Sequence, residues 1–546
     1  MGAAGRSVSD GSGGGMTRRE LLAALGFGGL GVGAVVLGGC TIPPPAPEPP
    51  KPPPGRHDPD PFPDGVMAGD PAPDGTVIWT RVATTGPADV PVLWTVAEDA
   101  AFTSLAAGGL ALAAAGDGHT VRVAVDGLQP DRWYHYRFEA QGPGGTQVAS
   151  RAGRLRTAPA PGSSPDRLRY AFASCQQIND SWFVAHRAAA AEPDLDFFMH
   201  LGDYVYVSDT GTLTVDQYRE RYRRWRAQPM LRDLHAALPC VAMWDDGEFY
   251  NGVDRTGPAD RLDGAKQAWF ESFPLIDPGG RRSHRRFGWG DLADVTMIDV
   301  RSYRDPEIPD IVHLGGSGLD DPGRTTLGAD QYDWFTGGLA ASSAAWRLVG
   351  NPYNINPWLL VNLEFLRALR PDLPANPGIY APNEAWDDYM SERRDLLRFL
   401  VDNGITDTIF TSGHTHVSLV SELRPEPDRP RTPVAAFDFC TGSLTADPDP
   451  RSAFLGDLPR PLAEEVLRAA ERWVLSQNSP YMRHMNLVDQ GYTVVDVTPE
   501  AVEVTIRLVD TFDPDAEAFD GARFRVARGA SRIEVLRTPT RRGSFA

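Results

Sequence analysis

The sequence HLGDYVY, from His200 to Tyr206, directly follows a short apolar run at 195–199. Such a run predicts a buried strand, and the Gly-Asp turn at its end brings an acidic residue and two phenols to one rim of a sheet. The carboxylate of Asp203 can bridge two ions, and a loop can turn the phenol of Tyr206 back toward the same point. This stretch therefore predicts a metal site at the end of a strand.

Four other apolar runs also end in polar residues that can bind a metal. They end near Cys175, Asp246 and His416 and, with a weaker pattern, at Asp299. In an open α/β sheet, ligands gather outside the carboxyl ends of the strands, so segments far apart in sequence can converge there. We therefore expect one metal site built from several strand ends.

The length and the charge of the chain limit its domain count and its partners. At 546 residues the chain is too long for one compact core, so two folded domains with terminal segments are expected. The net charge of -19 argues against a nucleic-acid partner held by a basic surface. Any attraction for phosphate must be local, and it falls to arginine because Lys51 and Lys266 are the only lysines.

Residues 1–42 have the pattern of an export signal. The sequence Thr17-Arg18-Arg19-Glu20-Leu21-Leu22 is a twin-arginine pattern, and an apolar, glycine-rich run follows it. Leu37-Gly38-Gly39-Cys40 resembles a bacterial lipoprotein cleavage box, with Cys40 as the lipid-bearing residue; ordinary signal cleavage nearby is the alternative. We expect export by the twin-arginine pathway to the periplasm, to the cell surface as a lipoprotein, or to the medium. Contact with a membrane is expected only through this signal or the lipid.

The rest of the chain divides into a linker, two folded regions and a tail. Residues 43–61 are a proline-rich linker, which is stiff and extended. Alternating runs such as Thr76–Arg81 predict roughly seven short strands over 62–160, which suits a β-sandwich. From 165 to 510, apolar strands alternate with helical stretches such as Val215–Leu234, which predicts a layered α/β or α+β domain. Residues 511–546 are predicted to be a polar tail.

The densest group of candidate ligands is Ser412-Gly413-His414-Thr415-His416. Two histidines two residues apart, just past a glycine turn, can reach one metal or two adjacent metals; a solvated loop with two unrelated histidines is the alternative. Together, a thiolate from Cys175 and a phenolate from Tyr206 favour a trivalent or borderline metal, such as ferric iron, over magnesium. The segment 244–248 adds three carboxylates at another strand exit, although acidic loops are usually only solvated.

Three cysteines remain besides Cys40, so at least one has no disulfide partner among them. Cys240 and Cys440 lie inside apolar runs and are predicted to be small buried hydrophobic residues. Cys175, at a strand exit, is the candidate ligand.

Taken together, these motifs resemble the PhoD-like alkaline phosphatases and phosphodiesterases, a branch of the calcineurin-like metallophosphoesterase superfamily. The resemblance rests on Gly65–Pro71, Val77–Arg81, Ala173–Gln176, His200–Tyr206, Trp244–Asp246, Trp289–Asp291, Asp299, Arg301, Tyr303, Arg304 and Gly413–His416. It implies a four-layer α/β/β/α metal domain behind a β-sandwich, export by the twin-arginine route, and ferric iron used together with calcium. The implied activity is the hydrolysis of phosphate monoesters or diesters by metal-activated water outside the cytoplasm. We expect a monomer acting on a phosphate-ester substrate.

Position by position, the resemblance also implies a set of ligands. The iron would be held by Cys175, Asp203, Tyr206 and His416. Asp203 would also reach the second metal, together with Asp246, His414 and Asn251, and the residues with a catalytic role would be Asp203, Asp246 and His414. Because imidazole is a poor calcium ligand, zinc, manganese or iron are alternatives to calcium at the second position.

The sequence departs from the family pattern at three positions. Gly247 stands where the family has a histidine that contacts the substrate phosphate, His414 stands where an aspartate is common, and Val207 replaces a frequent acidic residue. These departures leave a second hypothesis open, a surface-anchored binding protein that has lost catalysis on the same fold.

Other donors could replace the histidine missing at position 247. Candidates for contacting the phosphate are His284, Asn354 and Arg301. Alternatively, Asp299, Arg301 and Tyr303 are structural and form an ion pair that ties two layers together.

Overall fold

The computed structural model describes residues 61–537 except 85, 208–212, 277–278, 309–310, 316–317, 382–383, 428, 430, 449–450, 452–454 and 456–457. The predicted export signal, Cys40 and nearly all of the proline-rich linker lie outside these residues. Within the described part of the chain, no helix combines the length and the apolar character needed to cross a bilayer.

The first domain is a β-sandwich, as the sequence predicted. Its buried side chains form a core of their own between two sheets, and strand β6 (Trp133–Gln141) alternates buried and half-buried residues, as a strand with one face on a core must. One sheet has the order β1 (Val66–Ala68), β2 (Thr76–Arg81), β5 (Thr120–Val125). The other has the order β4 (Leu105–Ala113), β3 (Val90–Ala97), β6, β7 (Gln147–Ala149), with β8 (Gly153–Arg156) also paired to β6.

The second domain is built on two seven-stranded mixed sheets. In the first, β11 (Cys240–Ala242), β10 (Phe197–His200) and β9 (Leu168–Ala173) are parallel, and the antiparallel strands β22 (Gln490–Val497), β23 (Ala501–Val509), β24 (Phe519–Ala527) and β25 (Glu534–Arg537) continue it. The second has the order β12 (Arg285–Trp289), β13 (Ala293–Met297), β15 (Trp346–Tyr353), β18 (Thr408–Gly413), β20 (Ala436–Cys440), β19 (Ser418–Leu423), β21 (Met482–Asn486). Strands β13, β15, β18 and β20 are parallel.

The sheets pack face to face, and helices cover their outer faces, which confirms the predicted four layers. In β10, Phe197 lies in the core between the sheets, whereas Phe198 lies in the outer core under helices α1 (Val184–Ala190) and α3 (Pro229–Ala237). On the opposite side, Phe410 packs under α5 (Ala329–Ala341) and α6 (Met390–Asp402). Because both faces of these strands are covered, their sequences are continuous apolar runs without alternation.

The remaining elements lie around this sandwich. Helices α2 (Val215–Arg226) and α4 (Ala259–Ser272) contact each other, and their buried aromatic residues join the core between the sheets. Helix α7 (Arg460–Gln477) contacts a small sheet with the order β14 (Val312–His313), β17 (Gly378–Tyr380), β16 (Leu359–Asn362).

Two sequence predictions differ from the structure. The single helix predicted over 215–234 is two helices, because Pro229 cannot continue α2 and instead begins α3 at its first turn. Within the predicted polar tail, β24 and β25 extend the first sheet. The alternation of buried and half-buried residues in β24 is that of a strand with only one face on the core.

The two domains are joined by buried polar contacts. Arg285 donates from Nε and Nη2 to the carboxylate of Asp70 over 2.7 and 2.8 Å, and both side chains are buried. The indole of Trp79 donates to the carbonyl of Glu271 over 2.8 Å. The sequence motifs of the first domain, which contain Asp70 and Trp79, therefore form its contact with the second domain.

Candidate metal centre

The carboxyl ends of β9, β10, β11 and β18 converge, and the residues that follow them bring their side chains together. The donor atoms form two groups, and within each group all atoms lie within 4.8 Å of one another. The first group is Cys175, Asp203 and His416, and the second is Asp203, Asp245, Asp246 and His414. Asp203 belongs to both groups, so the arrangement can hold two adjacent ions.

In the first group, a thiol, a carboxylate, a phenol and an imidazole face one point. Cys175 Sγ lies 3.4 Å from Asp203 Oδ2, and the hydroxyl of Tyr206 lies 3.1 Å from His416 Nε2. The other ring nitrogen of His416, Nδ1, lies 2.7 Å from the carbonyl of Asp447. A carbonyl at Nδ1 favours the tautomer with its proton on Nδ1, in which Nε2 has the lone pair that a metal ligand needs.

In the second group, His414 lies among three carboxylates. Its Nδ1 is 2.7 Å from Asp245, 3.9 Å from Asp246 and 4.0 Å from Asp203. Asp246 Oδ2 accepts a hydrogen bond from the backbone amide of Gly252 over 3.0 Å, which fixes the direction of this carboxylate.

A buried arginine adjoins the second group. Arg301 is 0% exposed and donates to Asp245 and, over 3.1 Å, to Glu384. Its Nη2 lies 3.2 Å from His414 Nδ1. The second group therefore already contains a fixed positive charge, which the first does not among the residues described.

The electrostatics of the two carboxylates that follow β10 and β11 are opposite. Burial, the nearby Cys175 thiol and the neighbouring acids raise the pKa of Asp203 well above its usual range. Burial acts in the same direction on Asp245, but Arg301 and His414 outweigh it, so the pKa of Asp245 is lowered. A buried acid that neighbouring acids repel is the group most in need of a cation.

Glu248 belongs to neither group, but its hydrogen bonds hold the backbone around the centre in place. Its carboxylate accepts backbone hydrogen bonds from Tyr204 (2.8 Å), Asp245 (2.9 Å) and Asp203 (3.1 Å) and so ties the turn after β10 to the turn after β11. Burial raises the pKa of Glu248 to about 8. The sequence showed this carboxylate only as one of three in an acidic segment.

Four residues of the centre have a backbone conformation that L-amino acids rarely adopt. The φ angles are 62° at Cys175, 55° at Asp203, 72° at His414 and 54° at His416. Such angles persist only where surrounding contacts impose them, and they cluster at functional sites. One such contact is the hydrogen bond from the Cys175 amide to the carbonyl of Gly202.

Comparison with known proteins identifies the family. The family model described as PhoD-like phosphatase matches residues 170–506, and that of its N-terminal domain matches 48–159. The chain belongs to the PhoD-like phosphatase family. Alkaline phosphatase D of Bacillus subtilis (strain 168) is 28% identical over 523 residues, which cover 88% of this chain and 84% of that protein. Family membership supports a phosphoric ester hydrolase with metal cofactors and a phosphate-ester substrate.

Solved structures agree with this assignment. A structure of PhoD superposes with a TM-score of 0.77 at 27% sequence identity and covers 88% of this chain and 93% of that one. A purple acid phosphatase from yellow lupin superposes with a TM-score of 0.53 at 11% identity and covers 86% of this chain and 75% of that one. The second likeness concerns the fold alone, which is the metallophosphoesterase fold.

Gly247, the departure from the PhoD-like pattern, lies against the shared carboxylate. Its backbone amide donates to Asp203 Oδ1 over 2.8 Å. A Cβ atom added at this position would stand 2.6 Å from the same oxygen and 2.7 Å from the carbonyl of Val205. In this protein, therefore, position 247 orients Asp203 through its backbone and has no room for a side chain unless Asp203 moves.

The remaining sequence candidates lie outside the two groups. Asn251 is exposed on the turn after Asp246, and Asn354 is buried and donates to the carbonyl of Asn356. His284 packs against the ring of Trp334 with a centroid distance of 4.9 Å. The guanidinium of Arg301 pairs with Asp245 and not with Asp299, whose carboxylate accepts from the backbone amides of Arg301 and Ser302 and from the hydroxyl of Ser283.

Val207, another of the three departures, and the other cysteines are part of the core. Val207 is 3% exposed, so an acidic side chain there would be buried. Cys240 and Cys440 are buried, and none of the three described cysteines forms a disulfide.

Proposed function

We propose that this protein hydrolyses phosphate monoesters or diesters at a two-metal centre. Cys175, Asp203, Tyr206 and His416 would hold one cation, and Asp203, Asp246 and His414 would hold the second, with Asp245 orienting His414. The observation that carries the proposal is the pair of donor groups that share Asp203, in a chain of a phosphatase family.

The donor types suit the cations that the resemblance implies. Thiolate, phenolate and imidazole donors together favour ferric iron at the first position. The second position offers carboxylates and one imidazole, so calcium is the choice by family resemblance, whereas zinc or manganese suits His414 better. The raised pKa of Asp203 supports the fit, because a cation at this point would offset the repulsion between the buried acids.

When bound, the two cations would lower the pKa of coordinated water and offset charge on the phosphoryl oxygens. The contribution of the chain is to keep the ligands in place. Glu248 and the amide of Gly247 hold Asp203, and the carbonyl of Asp447 holds His416. Arg301 is wholly buried, so it balances the charge of Asp245 from within the protein and does not contact the substrate.

The proposed place of this reaction is outside the cytoplasm. The support is the twin-arginine pattern at 17–22, followed by an apolar run and by the sequence that resembles a lipoprotein cleavage box at Cys40. An enzyme exported in the folded state can take up its iron before it leaves the cytoplasm.

The decisive test is Asp203→Ala, assayed with 4-nitrophenyl phosphate and with bis(4-nitrophenyl) phosphate. We expect hydrolysis of both esters to be abolished, because both groups of ligands lose their shared member. Asp372→Ala is the matched control, since Asp372 is exposed and pairs with Arg370 on the surface. Full activity in Asp203→Ala would overturn the proposal.

A further inference from the structure

A short basic segment stands out in this acidic chain. Residues 281–286 read Arg-Arg-Ser-His-Arg-Arg, whereas the whole chain carries a net charge of -19. The segment leads into β12, whose first residue, Arg285, pairs with Met297 at the end of β13. It therefore lies at the edge of the second sheet where the loop after β13 begins.

This segment lines a cavity of about 280 Å³. We call this cavity the basic pocket; its walls include Arg282, His284, Arg285, Arg286 and Trp334 and one carboxylate, that of Asp70. The guanidinium of Arg286 lies over the Trp334 ring, 4.9 Å from its centroid, and the His284 ring lies at the same distance. Stacking on one indole holds both basic side chains in place.

Only part of the positive charge in the basic pocket is balanced. Arg285 forms its ion pair with Asp70. Arg282 donates to the carbonyl of Gly279, and Arg286 donates to the hydroxyl of Thr296. Among the described residues, no carboxylate lies within 4.0 Å of either Arg282 or Arg286, so two guanidinium charges have no ion-pair partner there.

The pocket also contains buried polar nitrogens that make no hydrogen bond. His284 is 8% exposed, and its Nδ1 has no partner among the described residues. The same is true of Nη2 of Arg286. Buried polar atoms without a partner are rare and costly, so each calls for a ligand or another explanation. One anion in the pocket would supply an acceptor for Nη2 of Arg286, and for Nδ1 of His284 in the tautomer that carries its proton there.

The basic pocket and the metal centre lie at the same edge of the second sheet, because β12 begins beside the carboxyl end of β13, which is parallel to β15 and β18. The loop after β13 contacts both. Asp299, after β13, accepts a hydrogen bond from Ser283 over 2.9 Å, and the ring of Tyr303 packs against His284 on the pocket side. Between them in sequence, Arg301 faces Asp245 in the metal centre. Arg285, in the pocket wall, also donates to the carbonyl of Ala242 at the end of β11, the strand that precedes Asp245 and Asp246. The two places are therefore neighbours, and a substrate with two separated anionic groups is the class that would use both.

We propose that the basic pocket binds a second anionic group, of the phosphate or carboxylate type, in the part of the substrate that is not cleaved. The inference rests on the proposed function. It assigns the protein to phosphate esters with at least two anionic groups, such as bisphosphates. Free phosphate has the same chemistry, and the test below separates the two sources.

The kinetic test compares 4-nitrophenyl phosphate with a series of alkanediol bisphosphates of increasing spacer length. In Arg282→Ala and in Arg286→Gln, we expect kcat/KM for the best bisphosphate to fall about tenfold, through KM, because one charge-assisted contact is lost. For 4-nitrophenyl phosphate, kcat/KM of each variant should stay within about twofold of the wild-type value. This substrate has no second anionic group, so its contacts with the protein are unchanged. Arg472→Ala is the control, because Arg472 is an exposed arginine that donates only to a backbone carbonyl among the described residues.

Equal losses for both substrates, or no loss for either, would overturn the proposal. A direct measurement separates it from the proposed function. Titration calorimetry of the metal-free protein with inorganic phosphate should detect a site that Arg286→Gln removes and Arg472→Ala retains. This result is expected even if the wild-type protein hydrolyses neither substrate. A phosphate site lost in Arg286→Gln without any preference for bisphosphates would assign the pocket to free phosphate and overturn its role in substrate binding.

Discussion

The two halves of the metal centre, which are the first and the second group of donor atoms described above, differ in how far the protein itself balances their charge. In the first half, Cys175, Asp203 and His416 gather, and burial with neighbouring acids raises the pKa of Asp203. In the second half, the guanidinium of Arg301 already pairs with Asp245 and approaches His414. On the proposed function, the first half would take its charge balance from the metal, whereas the second is partly balanced by the protein.

This difference predicts unequal affinities for metal. A site whose charge is unbalanced gains the most from a cation, and its thiolate and phenolate donors hold ferric iron strongly. A site next to a fixed guanidinium gains less, because the two positive charges repel each other. We therefore expect one tightly held ion and one that exchanges readily. The predictions below test this contrast, from the largest expected effect to the smallest.

Cys175→Ala should have the largest effect, because it removes the soft ligand of the tight site. We expect loss of the ion and a fall in the rate of ester hydrolysis of about 1,000-fold, the rate equivalent of several kcal/mol of metal catalysis. The visible absorption of a ferric site with phenolate and thiolate ligands should disappear as well. Cys240→Ala is the control, since Cys240 is a buried thiol in β11 outside both groups; unchanged absorption in Cys175→Ala would contradict the ligand assignment.

Gly247→Ala should disturb the ligand that both halves share. The added Cβ would stand 2.6 Å from Asp203 Oδ1, so the carboxylate must move. We expect metal affinity and kcat/KM to fall by about 10- to 100-fold, as for other contacts that orient a metal ligand. Gly247→His, which would restore the family residue, should be impaired too.

Gly337→Ala is the control for these variants, because a Cβ at Gly337 meets nothing within 4 Å and alanine favours a helix. A large gain of activity in Gly247→His would show that position 247 can accept an imidazole and that the glycine lowers activity in this protein. This result would contradict the claim that Asp203 leaves no room for a side chain there.

His414→Asp should change the exchangeable site and leave the tight one alone. A carboxylate in place of imidazole adds a hard oxygen ligand, so calcium affinity should rise about tenfold and zinc affinity should fall. Metal titration followed by activity measures this directly. Loss of iron in this variant would mean that the two halves are not separable.

The smallest effect concerns a buried histidine near the centre but outside it. Burial lowers the pKa of His200 to about 3. The unfolded chain therefore binds more protons between pH 6.5 and 3, so stability falls as pH falls through this range. The slope from this residue is at most about 1.4 kcal/mol per pH unit. His200→Leu should flatten the dependence of the unfolding free energy on pH, and an identical slope would contradict the prediction.

Much of the fold and of the centre could be predicted from sequence, because local pattern determines it. The boundaries of β2 and β5 follow from alternation and from the turns around them. The convergence of Cys175, Asp203 and His416 follows from one rule, that ligands gather at the carboxyl ends of parallel strands. The wider ligand set came from the resemblance to the family.

What could not be predicted depends on tertiary contacts. The bracing by Glu248 and the crowding at Gly247 need the turns after β10 and β11 to lie against each other. The left-handed backbone at Cys175 and His416 has no signal in the residue types. The strands within 511–537 were missed because an exposed strand face is as polar as a tail.

The central claim, that one half of the centre holds its ion tightly and the other does not, is tested most directly by metal content. Elemental mass spectrometry would be applied to the wild type, Cys175→Ala and Asp246→Asn after dialysis against a mild chelator. We predict about one iron per chain in the wild type and in Asp246→Asn, and none in Cys175→Ala, because only the first set of ligands includes the thiolate. Iron retained in Cys175→Ala, or no transition metal in the wild type even after reconstitution, would contradict the claim.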